Sequence, residues 1–150
     1  LILFGGIAAV TMYSNAQKAK EMEGNPYGTT DLKPATIEQL DDENYQNIIL
    51  PEELEEKIEA KEDVVVYFFS STCAACKQAT PDVMAAADAL DVDIQQYNVY
   101  EFEQGWTDYK IESTPTISVF ENGEEVQRAV GASPNGQSDY EAFFKEYALK

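Results

Sequence analysis

An unbroken apolar run, Val64-Val65-Val66-Tyr67-Phe68-Phe69, leads directly into Ser70-Ser71-Thr72-Cys73-Ala74-Ala75-Cys76-Lys77. The run has strand length and is rich in β-branched and aromatic residues. That suits a central strand covered on both faces. The segment after it holds both cysteines of the chain, spaced as CxxC. A buried strand, a short turn with CxxC and then a helix is the setting in which a cysteine pair does redox chemistry.

The flanking pattern predicts an α/β domain. Val83, Ala87 and Leu90 fall on one stripe with Met84 beside it, so a helix should run from the cysteines to about Leu90. Pro81 lies inside that helix and should kink it. Upstream, Pro51 opens a helix with Glu52 and Glu53 at its positive end, and Leu54 and Ile58 face one way. Residues 45–49 read as a first strand and residues 92–99 as a weaker one. Residues 104–109 read as a short helix, with Trp106 assigned to the core. Residues 116–120 and 126–130 flank Asn122-Gly123, a strong hairpin signal. Ser138 and Glu141 stand at capping-box spacing before a last helix whose apolar face is Tyr140, Phe143, Phe144 and Tyr147. The order βαβαβαββα gives parallel strands through the helical crossovers and an antiparallel hairpin at the end. The result is a central mixed sheet flanked by helices.

Residues 45–150 are expected to form this domain. Residues 14–44 read as a polar linker, punctuated by Gly24-Asn25-Pro26-Tyr27-Gly28 and Pro34. Within it, Thr36 and Gln39 have capping-box spacing for one helical turn. Residues 1–13 carry no charge and fall short of the roughly 20 residues a membrane-spanning helix takes. They read as a truncated transmembrane anchor or a signal segment. The expectation is a domain tethered to a membrane on its extracytoplasmic side, or secreted. The absence of cysteines outside the pair fits an oxidising compartment, where spare thiols mispair. A cytoplasmic reductase is the alternative if residues 1–13 belong to no membrane segment.

Composition narrows the ligands. The net charge is −18, so the surface repels nucleic-acid phosphate and anionic headgroups, and no nucleic-acid partner is expected. The acid excess is read as solubility. The chain has no histidine, which removes His-activated nucleophiles and most zinc or haem ligation. Two cysteines alone do not close a structural zinc site. Asp41-Asp42-Glu43 lacks the spacing of an EF-hand loop. Neither a metal nor a cofactor is expected.

The pair itself has a division of labour. A thiolate is the attacking species in disulfide exchange, and a helix N-terminus favours it. Cys73 opens the turn and should be the more exposed, hence the attacker. Cys76 falls inside the first helical turn and should be buried, hence the resolving thiol. A structural disulfide here would close a very small loop and contribute little.

Further motifs follow in order. Pro81 stands five residues after Cys76, then come Tyr109-Lys110-Ile111-Glu112-Ser113-Thr114-Pro115-Thr116, Phe120-Glu121-Asn122-Gly123-Glu124 and Val130-Gly131-Ala132. With these, residues 45–150 resemble the thioredoxin family. The resemblance implies a thioredoxin-like fold and a thiol–disulfide oxidoreductase acting on proteins. It implies that Pro115 is a cis-proline beside the cysteines, that the Thr114 backbone pairs with a substrate strand, and that Gly131 lines the same groove. Thr72, Ala74 and Ala75 would complete the substrate-binding rim. The expected partners are a client protein with cysteines or a disulfide and a redox protein that recycles the pair, the domain itself being monomeric. The chain also departs from the family. Thr72 stands where typical members have Trp, and Ala74-Ala75 where they have Gly-Pro. Tyr67 falls on the family's buried Asp, and Gln96 on about the position of its Lys partner. Both charges are absent together, which is self-consistent, since a lone buried charge is costly. Two alanines add no charge between the cysteines, so a milder redox couple than that of strongly oxidising relatives is expected. From another class, the alternative is a non-catalytic accessory module that presents the same scaffold to an export or secretion partner.

Overall fold

The computed structural model describes residues 25–29 and 31–149. Its elements are α1 (Pro34–Gln39), a single 3-10 turn (Glu43–Tyr45), α2 (Pro51–Glu59), β1 (Val64–Phe69), α3 (Ala74–Ala89), β2 (Ile94–Asn98), α4 (Gln104–Asp108), β3 (Thr116–Glu121), β4 (Glu124–Val130) and α5 (Gln137–Tyr147). The four strands form one sheet in the order β2-β1-β3-β4. β1 pairs parallel with β2 and antiparallel with β3, and β3 pairs antiparallel with β4.

β1 sits at the centre because every one of its side chains is buried. Its alternation feeds two cores. Val65, Tyr67 and Phe69 point to one face, against Ala79, Val83 and Ala87 of α3 and Tyr140 and Phe144 of α5. Val64, Val66 and Phe68 point to the other, against Ile49, Leu54, Tyr97 and Ile111. A strand covered on both faces has no polar side, and that is why its sequence is a continuous apolar run. The β3–β4 hairpin turns at Asn122 (φ 54°) and Gly123 (φ 79°), the pair of positive angles that a tight hairpin turn demands. Gly123 is also required for space, since a Cβ there would lie 2.6 Å from the Ile58 carbonyl oxygen.

Several expectations change. Residues 45–49 do not form a strand. Asp42 caps the 3-10 turn by accepting from the Asn44 N–H, and only Ile48 bridges to Gln96. The Gln96 side chain is the reason. The Gln96 backbone makes the two bonds of that bridge, to the Ile49 N–H and the Asn47 carbonyl, each at 2.8 Å, but its side chain accepts from the Asn47 N–H at 3.0 Å and donates to the Asn44 carbonyl at 2.6 Å, so the groups that would extend the ladder are already satisfied. Trp106 is not core: it is 36% exposed on the short helix α4. Ser138 lies inside α5 and does not cap it. Gly136 is the N-cap, and Asp139 instead accepts from the Asn135 N–H at 3.3 Å. Thr36 likewise lies inside α1, whose N-cap is Lys33.

Part of the segment read as linker is packed. Tyr27, Thr36 and Gln39 are buried against the domain. Lys33 ties this segment to the turn that follows β2, its N–H donating to Glu101 at 2.8 Å. No helix among the described residues is long and apolar enough to cross a membrane, and residues 1–13, read above as an anchor or signal segment, lie outside them.

Candidate active site

β1 ends at Phe69, the chain turns through residues 70–72, and Cys73 becomes the N-cap of α3. Its backbone is extended (φ −82°, ψ 115°), which frees the side chain to face the first turn of the helix. The Cys76 N–H donates to Cys73 Sγ at 3.1 Å. This is the capping bond of a helix N-terminus with sulfur as the acceptor. Cys73 is half-buried and Cys76 fully buried, both as free thiols. Burial pushes the Cys76 thiol up to about 12, and the neighbouring Cys73 side chain adds to the rise. Hydrogen bonding to the Ser70 backbone and to Thr114 offsets part of it.

The loop before β3 closes the site from across the sheet. Cys73 Sγ lies 3.6 Å from the Thr114 carbonyl oxygen and donates to it. The Thr114–Pro115 peptide bond is cis. Pro115 is buried, and its carbonyl accepts from the Gly131 N–H at 2.8 Å. Gly131 has φ 88° and open space where a Cβ would stand. The fold therefore brings Thr114 onto Cys73 and Gly131 onto Pro115. Thr72, Ala74 and Ala75 are exposed neighbours of Cys73 along the chain, and Thr72 bonds back to Ser70 Oγ within its own loop.

Behind Cys76 lies a buried set of hydroxyls. Thr80 Oγ1 donates to the Cys76 carbonyl at 2.6 Å and accepts from the Tyr45 hydroxyl at 3.0 Å. The Tyr67 hydroxyl is 2.8 Å from Thr80 Oγ1 and 3.4 Å from the Cys76 carbonyl oxygen. Burial pushes both tyrosine hydroxyls above their ordinary range, so they stay neutral. Tyr67 and Gln96 are register partners across β1 and β2. Gln96 is turned to Asn44 and Asn47 rather than to the cysteines. Glu101 is engaged by the Lys33 N–H and Glu112 is exposed.

The sequence reading missed two supports. Tyr45 and Thr80 were not singled out, although Thr80 stands one helical turn after Cys76, where a hydroxyl reaches the i−4 carbonyl. Thr36 and Gln39 were assigned to a linker. Here Thr36 Oγ1 is 2.9 Å from Ser71 Oγ, and Gln39 Nε2 donates to the Ser71 carbonyl at 3.4 Å, bracing the turn ahead of Cys73.

The sequence pattern of the family described as thioredoxin matches residues 37–144. The chain belongs to the thioredoxin family. It is 41% identical to a thioredoxin of Mycoplasma genitalium over 83 residues, which is 55% of this chain and 81% of that one. Against thioredoxin C-2 of Corynebacterium nephridii it is 31% identical over 105 residues, 69% of this chain and 90% of the relative. Among solved structures, a Plasmodium falciparum thioredoxin matches with a TM-score of 0.59 and 25% identity, covering 67% of this chain and 98% of the other. The matched thioredoxin region spans Cys73, Cys76, Thr114, Pro115 and Gly131.

Proposed function

We propose that this protein is a thiol–disulfide oxidoreductase acting on protein disulfides, with Cys73 attacking and Cys76 resolving. The observation that carries this reading is the unlike placement of the two sulfurs. Cys73 caps a helix with an amide donor on its sulfur, whereas Cys76 is buried behind it. In the reducing direction, the Cys73 thiolate attacks one sulfur of a client disulfide. A mixed disulfide forms and one client thiolate leaves. Cys76 then attacks Cys73 Sγ, the second client thiolate leaves, and a Cys73–Cys76 disulfide remains. Two electrons have passed to the client, and a redox partner protein returns them to the pair. The oxidising direction runs the same steps backwards.

Thr72, Ala74, Ala75, Thr114, Pro115 and Gly131 form the client groove in this proposal. The Thr114 backbone offers hydrogen bonds to an extended client segment, and the bare Gly131 leaves room for its backbone. The uncharged residues 1–13 belong to a membrane anchor or a signal segment in this proposal, so the domain is tethered or secreted, and it works as a monomer. With only Ala74 and Ala75 between the cysteines, the couple is milder than the strongest oxidants, and a measured potential near about −120 mV would overturn that part.

The test is insulin reduction by the wild type and Cys73→Ser, together with trapping by Cys76→Ser. The expected result is turnover by the wild type, none by Cys73→Ser, and a covalent client adduct on Cys76→Ser that a reductant releases. Equal, negligible activity in all three, with no adduct, favours a non-catalytic binding module.

A further inference from the structure

Of the ten lysine and arginine residues in the chain, one is arginine, Arg128 on β4. Its Nη1 donates to the Lys110 carbonyl at 2.7 Å and its Nη2 to the Tyr109 carbonyl at 2.6 Å. Nε and Nη2 also donate to Glu125, at 3.2 and 2.9 Å, which holds the plane of the group. The two carbonyls lie at the end of α4, where a helix leaves its last acceptors without intrahelical partners. A rigid planar fork holds two adjacent carbonyls in a fixed relation, which an ammonium on a flexible stem does not. Lys110 has φ 52°, a left-handed backbone that a residue with a Cβ keeps where its surroundings impose it. The Ile111 N–H then reaches back to the Trp106 carbonyl at 3.0 Å, and its side chain enters the core beside Phe68 and Phe120. The Ser113 carbonyl accepts from Thr116 Oγ1 at 2.7 Å, and the next residue is Thr114, whose carbonyl meets Cys73 Sγ. The two sides of the candidate groove are therefore joined twice. Residues 110–115 and residues 128–131 are bridged at one end by the Gly131 N–H on the Pro115 carbonyl and at the other by Arg128.

We propose that Arg128 is a positioning residue that sets the spacing between the Thr114–Pro115 and Gly131 walls of the client groove, so that the groove is formed before a client arrives. The inference rests on the oxidoreductase reading of the site. A groove already in its bound shape lowers the ordering cost of docking an extended client segment, and the gain appears in client binding. Arg128 touches neither sulfur. Attack by Cys73 on a disulfide too small to fill the groove depends on the helix turn that holds its sulfur, and that turn lies outside the brace.

The test gives the full chain two substrates: insulin, with dithiothreitol recycling the pair, and a small chromogenic aromatic disulfide in a single turnover. Arg128→Gln is expected to raise the KM for insulin about fivefold, with kcat and the rate on the small disulfide each within about twofold of the wild type. Arg128→Lys keeps the charge and loses the fork, so its KM should fall between the two. Glu125→Gln removes an exposed ion pair, leaves both carbonyl bonds in place and should stay within about twofold. Amide hydrogen exchange supplies a readout that needs no turnover. In Arg128→Gln the Ile111 and Gly131 amides should each exchange about tenfold faster, while the amides of β1 keep their rates. A faster Ile111 amide with Gly131 exchange and insulin KM both at wild type limits Arg128 to capping α4 and overturns the proposal. Equal slowing on both substrates overturns it as well. If the wild type reduces the small disulfide but no insulin, the reading as a protein oxidoreductase fails, and the Gly131 amide decides alone: faster exchange in Arg128→Gln upholds the brace, and unchanged exchange overturns it.

Discussion

The Cys76 N–H points at Cys73 Sγ from 3.1 Å, so in the proposed exchange the residue assigned to resolve the mixed disulfide also supplies a donor to the sulfur assigned to attack. One turn of helix thus gives the two thiols opposite surroundings. The first has an amide donor and partial access to solvent. The second is enclosed by α3, β1 and the Thr114 loop, and its negative form is resisted by burial.

That contrast predicts selective alkylation. With the Cys76 thiol pushed up to about 12, only about one molecule in 10,000 carries that thiolate at about pH 8. Iodoacetamide should modify Cys73 and leave Cys76 unmodified in the folded protein, with a rate difference of at least about 100-fold. Peptide mass spectrometry over a time course checks this. Comparable labelling of both cysteines without denaturant would contradict it.

Stability should fall on the alkaline side. The Cys76 thiol rises to about 12 in the folded protein, against about 8.5 in an unfolded chain. The folded state therefore keeps a proton that the unfolded state releases. This contribution is complete below about pH 8.5 and is lost as the pH rises toward about 12. Tyr27 and Tyr109, each pushed up to about 12 mainly by burial, add to the loss from about pH 10 upward. Each group contributes a slope of at most about 1.4 kcal/mol per pH unit. Urea midpoints measured from about pH 7 to 11 should decline, and Cys76→Ala should flatten the portion below about pH 10. A flat wild-type profile would refute the assignment.

The fold was legible where local chemistry and tertiary packing agree. The β1 run, the Asn122-Gly123 turn and the aromatic stripe of α5 each require one environment, and each is found in it. Residues 45–49 were misread because their pairing stops at the single Ile48–Gln96 bridge: the Asn47 N–H is taken by the Gln96 side chain, a contact 49 residues away along the chain that no local pattern carries. Trp106 was misread because its bulk suggested core, whereas the neighbour that packs inward on α4 is Gly105. A Cβ on Gly105 would lie 2.4 Å from the Tyr97 ring. Of the site, CxxC and the Thr114-Pro115 loop were readable as motifs. The hydroxyl cluster was not, since Tyr45, Tyr67 and Thr80 are brought together only when α3 lies across β1.

The junction of α3 and α5 should be costly to disturb. Phe144 is 0% exposed and packs in the core shared by Tyr67, Val83 and Tyr140. Phe144→Ala removes most of a buried ring and leaves a cavity beside the helix that carries Cys76. The expected loss is about 3–5 kcal/mol. Val130→Ala, at a position 58% exposed on β4, should change stability by no more than about 0.5 kcal/mol. Equilibrium denaturation of both variants decides this, and equal losses would contradict the packing described.

The segment before the 3-10 turn should matter to the CxxC turn. Thr36 Oγ1 meets Ser71 Oγ at 2.9 Å and accepts from Asn98 Nδ2 at 3.3 Å, and Thr36 and Ser71 are both fully buried. Thr36→Val keeps the shape of the side chain and removes the hydroxyl. It leaves the buried Ser71 hydroxyl without its partner, at a cost of about 1–3 kcal/mol, while Asn98 Nδ2 keeps its bond to the Tyr27 hydroxyl at 3.1 Å. Because Ser71 immediately precedes Thr72 and Cys73, the loosening should be local. Amide hydrogen exchange should accelerate at residues 71–73 more than in β3, whose bonds to β1 the substitution does not touch. A linker that merely spaces the domain would produce neither effect. Unchanged stability together with unchanged exchange at residues 71–73 would therefore remove α1 from the support of the site.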